Sequence, residues 1–305
     1  MLNRRTFLTA TLAGAGGALL GGCTPTTAAR KTEVPAGPYR TVTLGKTGIQ
    51  TSLIGIATGM HGGGRQSDHT RLGRERFEGL LKGCYRRGIR LFDMADLYGT
   101  HTYIARAMKG VPREELTYVT KIWVRRGGIP EKERLGADVI VDRFRKELDT
   151  DYIDLVQIHC MTDATWTDQQ KRQMDLMEDL KAKGVIRAHG VSIHSLAALK
   201  TAAEDPWVDV IHARVNAFGV KMDAGPEEVA PVLAKAAARG KGILGMKLIG
   251  EGAFRNEPDK KDASIRWAMG PGHASAMVVG FLSEAEVDDF GGRVERLVKP
   301  VAAKA

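Results

Sequence analysis

The feature that most constrains the fold of this 305-residue chain is an eightfold alternation of short apolar runs and amphipathic segments between residues 52 and 297. The short runs are typical of buried strands, and the segments between them have helical periodicity. In the segment 137–148, for example, Ile140, Phe144 and Leu148 recur at helical spacing with charged residues between them. Eight strand–helix units in about 250 residues predict an α/β fold, the closed (β/α)8 or TIM barrel.

The two kinds of segment can be bounded from the apolar pattern alone. The predicted strands are Ser52–Ala57, Arg90–Met94, Thr117–Lys121, Ile153–His159, Ala188–Ser192, Val208–Arg214, Gly242–Lys247 and Ser275–Gly280. The predicted helices are Arg74–Arg87, His101–Met108, Ala137–Leu148, Thr167–Lys183, Leu196–Glu204, Pro226–Arg239, Asp262–Met269 and Glu284–Leu297. An open, doubly wound sheet is the alternative, but it usually carries a GxGxxG turn after its first strand, and Gly62-Gly63-Gly64 lacks that spacing.

Residues 39–298 are predicted to form the barrel domain, preceded by a linker over residues 30–38 and followed by a short tail over residues 299–305. At the start of the domain, Tyr39 to Thr51 alternates polar and apolar residues around a Gly-Lys-Thr-Gly turn. This pattern predicts a β-hairpin that caps the bottom of the barrel.

Residues 1–29 resemble an export signal rather than part of the fold. Arg4 and Arg5 precede a mildly apolar stretch rich in Ala and Gly, which is similar to a twin-arginine signal. The stretch ends in Leu-Gly-Gly-Cys, which resembles a lipoprotein processing box that would make Cys23 a lipidated N-terminus. The alternatives are a plain signal cut near Ala29 and an uncleaved tail. We expect an exported protein on the periplasmic or cell-envelope side, with the twin-arginine machinery as a partner and membrane contact only through Cys23.

Composition narrows the function classes. The net charge of +9 becomes +7 once the two arginines of the signal are removed, an excess that suits either a solvated surface or an anionic ligand such as a dinucleotide. With only 6% aromatic residues, the pattern does not indicate a nucleic-acid binder. Cys84 and Cys160 have no paired spacing, so we expect structural thiols and no disulfide. No apolar run of 18 residues interrupts the domain, so no membrane span is expected there.

Four chemically active side chains fall where three neighbouring predicted strands end. Asp93 and Tyr98 follow the second strand, Lys121 ends the third, and His159 ends the fourth. The carboxyl ends of barrel strands face one active-site mouth, so these side chains are expected to converge.

Together the four residues have the properties of an acid catalyst. The Lys121 ammonium would lower the pKa of the Tyr98 phenol, and Asp93 would pair with Lys121 and offset the cost of burying it. His159 could hydrogen-bond a substrate carbonyl oxygen and orient it. The set would protonate an oxygen that gains negative charge as hydride reaches the carbon.

Each residue alone also has an ordinary structural explanation: a buried ion pair, a turn aromatic and a core histidine. All four in one mouth favour catalysis, because each supplies a different part of one mechanism. No metal site is expected, since HEXXH is absent and six other histidines lack ligand spacing. Those histidines are His61, His69, His101, His189, His194 and His273. For His101, three residues after Tyr98, exposure to solvent is the expectation, and a place in the lining of the substrate mouth is the alternative.

On these residues the chain resembles the aldo-keto reductase family. The segments YRTVTLGKTGIQTSLIGIATGM, RLFDMADLYG, LTYVTK, LDTDYIDLVQIH and GVIRAHGVS match its successive signatures in order and spacing, from residue 39 to 298. The resemblance implies that Asp93, Tyr98, Lys121 and His159 form the catalytic tetrad, with Tyr98 as proton donor. It also implies an NADP(H)-dependent enzyme that reduces aldehydes or ketones, or oxidises the alcohol, without a metal; NAD(H) stays open as the cofactor.

The same resemblance implies a cofactor site on strands one and five to eight. The matching positions are Thr58, Ser192, His212, Met246, Lys247, Gly280 and Ser283. The chain departs from the family pattern at several of them. Ile193 stands for an asparagine and His212 for a glutamine, Met246-Lys247 replaces a stacking tyrosine, and Phe290 replaces an adenine-side asparagine.

Two other functions are compatible with the pattern. Free NADPH is not expected outside the cytoplasm, so an exported enzyme would lack fresh cofactor. This favours a non-catalytic nicotinamide-binding or redox-sensing barrel as the second hypothesis. A barrel enzyme acting on phosphate-bearing substrates, with the loop after strand eight as its phosphate site, is the third hypothesis, and the tetrad argues against it.

Overall fold

The computed structural model describes residues 37–298. The predicted export signal, the first residues of the linker and the tail lie outside this range. Within it the strands are β1 Thr41–Thr43, β2 Gln50–Ser52, β3 Ile54–Ala57, β4 Leu91–Asp93, β5 Thr117–Ile122, β6 Ile153–Met161, β7 Ile186–Ile193, β8 Val210–Arg214, β9 Gly242–Met246 and β10 Ala276–Val279. The helices are α1 Asp68–Arg71, α2 Arg74–Arg86, α3 His101–Ala107, α4 Ala137–Leu148, α5 Trp166–Gln169, α6 Lys171–Ala182, α7 Leu196–Glu204, α8 Pro226–Ala238, α9 Pro258–Ala268 and α10 Glu284–Val298.

Strands β3 to β10 form a closed parallel barrel in which each strand pairs with the next along the chain. The ring closes where β10 pairs with β3, with Met277 opposite Ile54. The predicted (β/α)8 barrel is therefore confirmed, and the open-sheet alternative is wrong. In residues 37–298 no helix is both long and apolar enough to cross a bilayer.

The lower part of the barrel is filled by aliphatic side chains, because alternate residues of each strand point inward. Leu44 and Ile49 of the hairpin β1–β2 close this layer from below, and both are fully buried. The strand residues that they join are Leu91, Val119, Leu155, Ala188, Val210, Leu244, Ala276 and Val278. Burying one such side chain stabilises a fold by about 1.5–3 kcal/mol. The hairpin therefore stabilises the barrel by covering its bottom, as predicted.

Two residues further along the same strands the inward side chains become polar. Asp93 follows Leu91, Lys121 follows Val119, and Gln157 follows Leu155, and all three polar side chains are buried. The period of two that packs the bottom of the barrel thus delivers polar groups to its carboxyl-terminal mouth.

Helix boundaries differ from the expectation in three places. The predicted helix Thr167–Lys183 is two helices, α5 and α6, because Gln170 has the non-helical φ and ψ of −106° and 12°. Helix α9 begins earlier than predicted, at Pro258. Proline lacks a backbone N–H, but the first residue of a helix has no intrahelical acceptor for one, so proline is well tolerated there. A short helix, α1, lies in the expected loop, and Ser67 caps it by accepting from the Thr70 amide.

Candidate active site

Tyr98 ends a 3₁₀ turn, Asp96–Tyr98, that follows β4. Gly99 ends the turn at φ 65°, a conformation that favours glycine. The turn is clamped through the buried Asp96 carboxylate, which accepts from Arg65 at 2.9 Å and from Arg143 at 2.6 Å. Two arginines from different segments therefore fix the backbone that carries the phenol.

The Tyr98 ring packs directly on the backbone of Gly59 and Gly62, in the loop after β3. A Cβ added at Gly59 would overlap the ring, and one added at Gly62 would lie 2.6 Å from ring carbon Cδ1. The close approach needs glycine at Gly59, so this residue sets the position of the phenol.

His159 reaches Tyr98 because β6 contains a bulge. Ile158 pairs with Val191 and Met161 pairs with Ile193, so β6 has one more residue than β7 over this interval. Cys160 takes the left-handed conformation, at φ 66°. Bulges of this kind redirect side chains next to active sites. The His159 Nε2 lies 3.2 Å from the Tyr98 hydroxyl, and the two rings meet edge to face.

Lys121 and Asp93 form a buried ion pair below the phenol. The Lys121 Nζ also donates to the Met94 carbonyl at 2.9 Å and lies 5.3 Å from the centroid of the Tyr98 ring. Burial lowers the pKa of Lys121 and raises the pKa of Asp93, and each partner opposes the shift of the other. Removing one partner of such a pair costs about 3–5 kcal/mol, because the other charge stays buried.

The electrostatics of Tyr98 differ from the expectation. Burial and the Asp93 carboxylate raise the pKa of Tyr98 well above 10, so the net shift of this pKa is opposite in direction to the predicted one. The reason is geometric: the ammonium donates to Asp93 and Met94 and not to the phenolic oxygen. Burial and Lys121 lower the pKa of His159 well below 6.5, so the imidazole is neutral beside a protonated phenol.

A cleft of about 1150 Å³, its open mouth included, leads from the tetrad towards α9 and α10. Asp93, Tyr98 and His159 line one part of it. Four of the seven predicted cofactor residues also line the cleft. They are Ser192, Met246, Lys247 and Gly280.

The other three predicted cofactor residues lie elsewhere. Thr58 is fully buried and donates its hydroxyl to the Asp93 carbonyl at 2.8 Å, so it ties β3 to β4. His212 is buried in the barrel, where its Nδ1 lies 3.2 Å from Gln157 Oε1. Ser283 is exposed and accepts from the Glu286 amide at the start of α10.

Ser192 and His212 are paired in register on β7 and β8. Each is 1% exposed, and the Ser192 Oγ and His212 Nε2 have no hydrogen-bond partner within residues 37–298. Buried polar atoms are nearly always paired in a folded protein, so the unpaired Ser192 Oγ, which lines the cleft, fits an amide-bearing ligand there, whereas His212 does not line the cleft.

The far part of the cleft is lined by three cations, each paired with a carboxylate. The pairs are Lys247 with Glu251 at 2.6 Å, Arg255 with Glu286 at 3.4 Å, and Lys261 with Asp289 at 3.0 Å. Such a lining can bind a phosphate if the phosphate replaces the carboxylates as the partner of these cations.

Sequence reasoning missed Gly59, Asp96 and Gln157, because their roles come from contacts between distant segments. Asp96 lies inside the D-x-x-x-x-Y spacing of Asp93 and Tyr98, and nothing in that spacing marks it. His101, expected to be exposed, is 2% exposed and bonds Glu147 at 2.7 Å. No group of three or more His, Cys, Asp or Glu side chains in the described part of the chain is placed to hold a metal ion.

Fold, tetrad geometry and cleft together define one class of protein. The family model described as "Aldo/keto reductase family" matches residues 56–286, which is most of the chain. The chain therefore belongs to the aldo-keto reductase family.

Individual relatives are distant. A NADH-specific methylglyoxal reductase of Escherichia coli is 25% identical over 198 residues, which cover 60% of each chain. Methylglyoxal reductase DkgB of Salmonella typhi is 29% identical over 127 residues, covering 40% of this chain and 44% of the relative. The chain thus spans less than two thirds of the length of these curated relatives.

Solved structures show the same fold. A putative aldo-keto reductase from Pseudomonas aeruginosa superposes with a TM-score of 0.69 at 22% identity, covering 88% of this chain and all of that one. An aldo/keto reductase from Klebsiella pneumoniae, solved with NADP and acetate, superposes with a TM-score of 0.61 at 16% identity, covering 84% and 89%.

Proposed function

We propose that this chain is an NADP(H)-dependent oxidoreductase that reduces an aldehyde or ketone, or oxidises the alcohol, with Tyr98 as general acid. The observation that carries the proposal is the Tyr98 hydroxyl beside the His159 Nε2, at the inner end of a cleft that runs to α10. The buried Lys121–Asp93 pair supports the phenol from below.

The cleft fits a nicotinamide dinucleotide. Ser192 would hold the amide group, Met246 and Gly280 would line the ring and sugar region, and the far cations would face the phosphates. Lys247, Arg255 and Lys261 are those cations. A bound reduced nicotinamide would supply hydride to the substrate carbon.

The residues of the chain supply and place the proton. The high pKa of Tyr98 keeps its phenol protonated across the physiological range, so the proton is in place before reaction. The neutral His159 can donate one hydrogen bond to the substrate oxygen and hold it near the phenol. As Tyr98 gives up its proton, the Lys121 ammonium, 5.3 Å from the ring centroid, stabilises the phenolate.

Binding and turnover of the purified protein test this proposal in one experiment. We expect NADPH, and more weakly NADH, to quench tryptophan fluorescence, and methylglyoxal or 4-nitrobenzaldehyde to cause loss of the reduced-nicotinamide absorbance. Binding of neither nucleotide would contradict the proposal. Binding without carbonyl-dependent oxidation would instead support the non-catalytic, redox-sensing alternative.

We also propose that the chain is exported through the twin-arginine pathway, with Cys23 as a lipid-modified anchor. The support is the sequence of residues 1–29, which lie outside the described residues. Replacing Arg4 and Arg5 together by Lys should retain the protein in the cytoplasmic fraction. Cys23→Ala should move the exported protein from the membrane to the soluble fraction. Unchanged fractionation of either variant would contradict the corresponding step.

A further inference from the structure

Arg125, in the loop after β5, is anchored at one end of its guanidinium only. Its Nη1 donates to the Cys160 carbonyl at 3.2 Å and to the Cys160 Sγ at 3.0 Å. The donors on Nε and Nη2 have no partner within residues 37–298, and the side chain is exposed. A guanidinium fork with a free Nε–Nη2 edge has the geometry that binds a carboxylate through two parallel hydrogen bonds.

No acidic residue in the described part of the chain pairs with Arg125, which sets it apart from the cations around the cleft. Arg214 has Asp223 at 3.5 Å, and Lys121 has Asp93. The far cations Lys247, Arg255 and Lys261 are paired as described above. Arg125 therefore needs no existing ion pair to break before it can bind an anion.

Arg125 does not itself line the cleft, but its anchor lies directly next to the tetrad. Cys160, which holds the guanidinium, is the residue directly after His159 and the centre of the bulge in β6. The Trp123 ring, two residues before Arg125, meets the His159 ring edge to face at 5.2 Å. Arg125 also contributes to the low pKa of His159 and of His194, which lines the cleft, so its charge acts on both imidazoles.

We propose that the carbonyl substrate of this chain carries a carboxylate, which Arg125 binds through Nε and Nη2 while Trp123 packs against the carbon skeleton. Arg125 is then a specificity residue that selects oxo acids over neutral aldehydes and ketones. The inference rests on the proposed function, since it names the substrate class of the same site.

Turnover of two matched aldehydes tests the selection. 4-Carboxybenzaldehyde and its methyl ester share a skeleton and differ in charge, and we expect the acid to have a kcat/KM about tenfold higher, because a charge-assisted pair is formed. In Arg125→Gln the ratio of kcat/KM for the acid to kcat/KM for the ester should fall to about one, because the KM for the acid rises. The matched control is Arg126→Gln, at the next residue, which should keep the ratio of the unmodified protein.

Binding of unreactive ligands separates this inference from the proposed function. We expect benzoate to bind more tightly than benzamide by tryptophan fluorescence, and Arg125→Gln to abolish the difference. Turnover without a preference for the acid, or a preference that survives Arg125→Gln, would overturn the inference and leave the function standing. A benzoate preference that depends on Arg125 in a protein without turnover would support the carboxylate site and refute the reductase.

Discussion

Two imidazoles at the site, those of His159 and His212, are kept neutral by burial and by the Lys121 ammonium. A neutral imidazole can donate one hydrogen bond and accept another, whereas an imidazolium can only donate. The neutral His159 Nε2, 3.2 Å from the Tyr98 hydroxyl, can therefore accept from that hydroxyl in one tautomer or donate to an oxygen in the other. The neutral His212 can donate from Nδ1 to Gln157 Oε1 and keeps Nε2 as an acceptor.

A different buried histidine makes stability depend on pH. His69 on α1 is fully buried, and burial lowers its pKa to about 4. An unfolded imidazole titrates near pH 6.5, so between about pH 6.5 and 4 the unfolded state binds more protons, and the free energy of unfolding falls as the pH is lowered, by up to about 1.4 kcal/mol per pH unit.

Urea unfolding of His69→Gln and the unmodified protein at pH 7.5 and pH 5 measures this contribution. We expect a smaller loss of stability on acidification in the variant, whatever its stability at pH 7.5. An equal loss in both proteins would show that His69 does not contribute.

The carboxylate of Asp289 should influence the choice of cofactor. It lines the cleft and pairs with Lys261 and with Arg293, each at 3.0 Å. Asp289→Asn removes a negative charge and frees the ammonium, so we expect NADPH, which carries an extra phosphate, to gain several-fold in affinity relative to NADH. Fluorescence titration of both nucleotides measures the ratio. Asp288→Asn is the matched control, because Asp288 pairs with Arg87 instead; an equal change in both variants would contradict a local effect.

At the scale of single elements, the loop after β3 acts as a support for the catalytic turn. Gly59→Ala would push a methyl group into the Tyr98 ring, whereas a Cβ at Gly63 would meet no atom within 4 Å. We expect Gly59→Ala to lower kcat at least tenfold, since small displacements of a catalytic group are costly, and Gly63→Ala to have little effect. Steady-state kinetics and thermal unfolding of both variants measure this; equal kcat in the two would show that the loop does not position Tyr98.

The strands and helices also show which features of the fold local sequence could predict. Short apolar runs predicted every barrel strand, because a strand buried on both faces needs an apolar sequence. The division of the predicted helix at Gln170 and the bulge at Cys160 were not predictable in this way. Neither residue type has a strong preference for its observed backbone conformation, and tertiary contacts decide both.

At the scale of the whole molecule, barrel closure explains why the tetrad could be placed from sequence and the cofactor site only in part. The four predicted catalytic residues lie at or just after strand ends, and strand ends share one mouth in any (β/α)8 barrel. The partners of Ser192 and Lys261, in contrast, depend on how loops and helices from distant segments fold over that mouth. The pKa of Tyr98 likewise depends on which acceptors the Lys121 ammonium bonds, and the sequence pattern does not specify these acceptors.

The most direct test of the central claim is the kcat of Tyr98→Phe for reduction of an aldehyde, measured beside its dissociation constant for NADPH. The variant keeps the ring that packs on Gly59 and loses only the hydroxyl. We predict a fall in kcat of at least about 100-fold, the usual contribution of a general acid, with nucleotide affinity changed less than about twofold. Turnover equal to that of the unmodified protein would show that Tyr98 is not the proton donor.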